Sequence, residues 1–138
     1  MADASPRPAK VVAAVVQMTS TADAERNLAT AERLTAEAAK RGAGFVALPE
    51  NFAFLRSTGD PAPDPQSLDG PWVRRMADAA RKHAVTLLLG SVPEKSAHAG
   101  KVHNTSVLLG PDGAVLAVYR KIHLFDIDLP GLEHLKEK

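Results

Sequence analysis

The chain has 138 residues, one domain's worth, with 45% hydrophobic and 24% charged residues and a net charge of +1. Its basic residues are scattered among acids, which argues against a nucleic-acid partner or an anionic membrane surface. No stretch approaches the ~18 apolar residues of a transmembrane helix, and the absence of cysteine excludes disulfides, cysteine metal sites and thiol chemistry within this chain.

Residues 1–9 contain Pro6 and Pro8 and no apolar run. They read as a flexible tail and not as a secretory signal, so the expected compartment is the cytoplasm. Val11 to Val16 is a continuous small and β-branched run, which predicts a strand covered on both faces. The polar cluster from Ser20 to Asp23 offers a helix cap. From Ala24 to Arg41 the apolar positions Leu28, Ala31, Leu34 and Ala38 recur every three or four residues. This spacing predicts an amphipathic helix that ends at Gly42 and Gly44. Phe45 to Leu48 follows as a second strand. The three segments make a βαβ unit with parallel pairing.

Glu50 closes that strand, and Asn51 to Asp69 reads as a loop because Pro61, Pro63 and Pro65 forbid regular structure across its middle. Phe52 and Phe54 either staple this loop to the core or wall a pocket beside the carboxylate. Gly70-Pro71-Trp72 opens a second helix, with Trp72, Met76, Ala79, Ala80 and His83 on one face. Val85 to Leu89 predicts a third buried strand, and Ser91 to Glu94 reads as the lead into a polar loop. Lys101 to Leu109 and Ala114 to Tyr119 flank the turn Gly110-Pro111-Asp112-Gly113, which predicts an antiparallel hairpin. The expected class is α/β, a mixed sheet with helices on one face. Lys121 sits where the last strand leaves the sheet, a placement suited to a pocket at the sheet edge. It is followed by a loop rich in His, Asp and Phe.

Four segments, in order, resemble the nitrilase superfamily of carbon–nitrogen hydrolases. They are Val15-Val16-Gln17-Met18; Leu48-Pro49-Glu50-Asn51; His103-Asn104-Thr105-Ser106 with Gly110-Pro111-Asp112-Gly113; and Tyr119-Arg120-Lys121-Ile122-His123-Leu124-Phe125-Asp126. The last is close to the omega-amidase and deaminated-glutathione-amidase branch. The resemblance covers Lys10 to the C-terminus and implies the N-terminal half of an αββα sandwich, in a protein that is usually dimeric or larger.

It also implies a Glu-Lys-Cys catalytic set acting on a small-molecule amide. Glu50 matches the general base and Lys121 the lysine that stabilises the tetrahedral intermediate. Glu137 falls at the position of a second glutamate, although Lys138 stands where the family has serine. Phe52, Phe54 and His123 are candidate substrate contacts. The lysine supplies the cation that the oxyanion needs, so no cofactor is expected. No metal is expected either: His123, Asp126 and Asp128 are suitable residue types in a spacing that matches no metal signature.

The family nucleophile lies some tens of residues beyond the second glutamate. Residues 10–138 are therefore expected to be a hydrolase domain cut short before its cysteine, inactive alone. It would form a homo-oligomer or associate with a cysteine-bearing chain. The alternative is a non-catalytic truncated homologue that serves as a binding or subunit-association module.

Overall fold

A computed structural model describes residues 10–57, 60, 62, 64–98 and 100–124, with the backbone of two further short strands. Its main sheet has five strands in sequential order: β1 (Ala13–Val15), β2 (Phe45–Ala47), β3 (Thr86–Lys95), β4 (Val102–Leu109) and β5 (Val115–Arg120). The pairs β1–β2 and β2–β3 are parallel, and β3–β4 and β4–β5 are antiparallel. Helices α1 (Ala24–Lys40) and α2 (Pro71–His83) form the two crossovers. A separate two-stranded ribbon pairs β6 (Asp126–Ile127) with β7 (Leu135–Lys136).

Local chemistry explains the helix limits. Asp23 caps α1 by accepting the Arg26 N–H at 3.0 Å, and Pro71 occupies the first turn of α2, where its missing N–H costs nothing. The α1 stripe Leu28, Ala31, Thr35 and Ala38 and the α2 stripe Val73, Met76, Ala79 and Ala80 are buried. They meet Val46, Leu87, Leu89, Val107 and Leu109 on a single face of the sheet, which is the core. Arg75 ties the helices together by donating to both Glu25 and Glu32 at 2.8 Å.

The alternate residues of each strand form the opposite face. In register across the sheet lie Val15, Ala47, Leu88, Leu108 and Ala117. Among the described residues no helix covers them, and Val15 is 90% exposed. The sequence predicts cover on both faces of the first strand; the described residues supply it on one. Among the described residues it is an edge strand of three residues with helices on one side.

The third strand is also longer than expected. It runs on through Ser91, Val92, Pro93 and Glu94 to Lys95, a segment whose sequence reads only as the lead into a polar loop. Proline lacks an N–H, but here its carbonyl accepts from Gln66 N at 2.8 Å while Lys95 N donates to Gln66 O at 2.9 Å. The proline-rich loop thus supplies a short bridge alongside the strand, which is compatible with proline in an extended segment.

Candidate active site

Glu50 follows β2, and three features place it. Gly90 lies under the Leu48-Pro49 backbone so closely that a Cβ there would sit 2.1 Å from the Pro49 carbonyl oxygen. Only glycine lets the chain pass over β3 at that height. Asn51 adopts the left-handed conformation (φ 55°), which turns the chain sharply after Glu50. Its N–H then donates to Ser91 Oγ at 2.8 Å. Further along, Asn27 of α1 donates to the Ala53 carbonyl at 3.0 Å, and Ser20 Oγ donates to the Phe52 carbonyl at 3.2 Å. The loop that begins with Glu50 is therefore fastened to both β3 and α1.

Lys121 follows β5. Its N–H donates to the Asn104 carbonyl at 2.9 Å, which continues the β4–β5 ladder by one residue. Because side chains alternate along a strand, Arg120 faces the helices and Lys121 faces the open side. Lys121 Nζ donates to Glu50 Oε1 at 3.0 Å. Asn104 Nδ2 donates to the same oxygen at 2.9 Å. Glu50 Oε2 accepts no hydrogen bond among the described residues. The Glu50 side chain is 56% exposed and that of Lys121 27% exposed, so the pair lies at the rim of the open face. An ion pair this exposed adds little stability; what it provides is a fixed cation beside a carboxylate whose second oxygen is unengaged among the described residues.

A model of the carbon–nitrogen hydrolase family matches residues 12–138. The chain belongs to the carbon–nitrogen hydrolase family. It is 39% identical over 118 residues to omega-amidase NIT2 of Mus musculus, covering 86% of this chain and 42% of that protein. It is likewise 39% identical over 120 residues to the deaminated glutathione amidase of Synechocystis, covering 86% of this chain and 44% of the relative. The chain thus spans less than half the length of the curated relatives it matches. Among solved structures, the Caenorhabditis elegans NitFhit protein superposes with a TM-score of 0.74 at 31% identity, over 89% of this chain and 30% of that one. A variant of the Nesterenkonia AN1 amidase from the nitrilase superfamily gives 0.67 at 25% identity, over 87% and 46%. The mixed sheet with two helices is therefore the nitrilase fold's.

Within this chain, the fold brings Glu50 and Lys121 together from 71 residues apart. Phe52 lies wholly inside the core and Phe54 is half-buried. Phe52 therefore fastens the loop and is out of reach of a ligand on the open face. His123 is exposed, and Glu137 lies outside the described residues. No group of three or more His, Asp or Glu side chains among the described residues could hold a metal ion.

Three contributors escaped the sequence reading. Asn104 lies within a recognised segment, but only the strand register shows that it shares a face with Lys121. Ser91 lies in the part of β3 read as a loop entrance, and Gly90 falls between that part and the predicted strand. Thr105 and Ser106 each have one hydroxyl proton, and both are engaged. Thr105 donates to Glu94 Oε2 at 2.7 Å, and Ser106 reaches the Leu89 and Gly90 carbonyls at 3.0 and 2.6 Å.

Proposed function

We propose that this chain carries the carboxylate–lysine half of an amidase site for a small linear amide, and that the site becomes competent when a cysteine-bearing layer covers the open sheet face. The 3.0 Å contact between Lys121 Nζ and Glu50 Oε1 carries this reading. The amidase relatives support it, as does an apolar sheet face continuous with the site.

In the complete site, Glu50 takes the proton of the incoming thiol as sulfur bonds to the amide carbon. Lys121 faces the oxygen that becomes negative, so the cation needs no reorganisation when charge develops. The C–N bond then breaks, and Glu50 passes its proton to the departing ammonia. A water activated by Glu50 cleaves the thioester, releasing the carboxylic acid and restoring the thiol. Glu137 is proposed as the second carboxylate of the set, with Phe54 and His123 flanking the substrate. The lysine supplies the electrostatic role, so the reaction as drawn calls for no cofactor.

The test is complementation. The purified chain is mixed with a separately produced C-terminal half of an omega-amidase that contains its cysteine, and ammonia release from small amides is followed. Activity is expected only in the mixture and is lost with Lys121→Ala or Glu50→Gln. Hydrolysis by the chain alone, abolished by Lys121→Ala, would overturn the claim that it is incomplete. The second reading, a non-catalytic association module, rests on the lack of cysteine together with the open face. It predicts homo-oligomers or stable complexes with full-length subunits whose turnover the chain does not raise.

A further inference from the structure

Strand β5 is the last strand of the sheet among the described residues, and all six of its residues are exposed. Side-chain packing therefore does little to fix its position. Its pairing with β4 shifts between Leu108 and Leu109, next to a turn closed by Gly110 N–H on the Ala114 carbonyl at 2.8 Å and Gly113 N–H on the Gly110 carbonyl at 2.9 Å, so the turn holds the near end of β5 and the far end, beyond the bulge, needs a hold of its own. At the other end stands one buried anchor. Glu94 of β3 has a side chain only 8% exposed. It accepts Arg120 Nε at 2.7 Å, Arg120 Nη2 at 2.6 Å and Thr105 Oγ1 at 2.7 Å. Glu94 thereby joins β3, β4 and the last residue of β5 on the helix side. Lys121, the next residue, emerges on the open side toward Glu50.

A slip of β5 by one residue exchanges its two faces. Lys121 would then meet Glu94, and Arg120 would meet Glu50. The two arrangements differ at Glu94, because a guanidinium fork engages both carboxylate oxygens while an ammonium offers a single point of contact. A carboxylate this buried strongly favours the partner that satisfies it.

We propose that Glu94 is a positioning residue. Its clamp on Arg120 sets the register of the β5 end and so delivers Lys121 to Glu50 and Asn104. The functional weight of this inference rests on reading Glu50–Lys121 as the reactive pair, but the register itself does not.

The test needs no turnover. The full chain and its Glu94→Gln and Arg120→Lys variants are acetylated under native conditions, and modification of Lys121 is compared by mass spectrometry with that of Lys82 on α2. Cross-strand nuclear Overhauser contacts between β4 and β5 report the register directly. Both variants are expected to raise the relative reactivity of Lys121 roughly fivefold or more, because the strand end opens locally, and to weaken the Thr105–Arg120 and Val107–Val118 contacts. Thr105→Val, which removes one of three bonds to Glu94, gives a smaller rise. If the variants lower the unfolding midpoint but leave Lys121 reactivity and the cross-strand contacts unchanged, Glu94 is only a stabilising residue and the proposal fails. Should the Glu94 variant not fold, Arg120→Lys decides alone, and slow amide exchange at Lys121 in the unmodified chain is a further requirement. Failure of complementation leaves these readouts untouched, so the two proposals fall separately.

Discussion

Glu94 is the buried charge with the clearest pH signature. Burial pushes its carboxyl up, but the Arg120 fork, the Thr105 hydroxyl and the positive charge of Arg120 and His103 outweigh that and hold it below the ordinary carboxylate value. The unfolded chain therefore binds more protons than the folded one at pH values between the two. The stabilisation is present above the unfolded value of about 4.3 and is lost as pH falls through the lower folded value. Urea midpoints measured from about pH 6 down to about pH 3 are expected to fall. The fall is shallower in Glu94→Gln, and an equal slope in both proteins would contradict the assignment. Arg120 shows the reciprocal effect: the Glu94 contact raises its already high value, which keeps it charged throughout.

The loop after β2 and the middle of β3 act as one unit, because Gly90 permits the backbone contact that sets the height of Glu50. Gly90→Ala would force a Cβ to within 2.1 Å of the Pro49 carbonyl oxygen, so the loop must rise. The cost expected from overpacking is about 1–3 kcal/mol, read as a lower urea midpoint. The Glu50–Lys121 contact should be lost as well, read as increased acetylation of Lys121; retention of that contact would show that the loop finds its place without Gly90. Periodicity revealed the helices and the hairpin well, because the 3.6- and 2-residue repeats are local. It failed at the ends of strands. Ser91 to Glu94 looked like a loop entrance because proline breaks local patterns, whereas a distant partner, Gln66, keeps that segment extended.

Among the described residues the sheet is asymmetric, with one face under helices and the other bearing Val15, Leu88 and Leu108 without such cover. The sequence suggested a buried first strand because its apolar run does not say which layer covers it. In solution this face is expected to drive concentration-dependent association, detectable by sedimentation velocity. Burying one such side chain contributes about 1.5–3 kcal/mol, and tenfold in affinity corresponds to about 1.4 kcal/mol. The double substitution Val15→Lys and Leu108→Lys should therefore weaken association at least about tenfold. Unchanged association would place the contact elsewhere.

The sequence by itself determined the fold class, the two βαβ units, the hairpin and the two residues at strand ends, Glu50 and Lys121, that invited a chemical reading. It could do so because helix and strand repeats, caps and turns are short-range signals. Only the tertiary structure decided that these residues meet, that Asn104 joins them on one oxygen, that Phe52 belongs to the core, and that Arg120 turns away to Glu94. Those facts depend on register and on contacts between segments 26 to 71 residues apart. A one-residue shift in register exchanges the two faces of a strand while leaving its sequence unchanged.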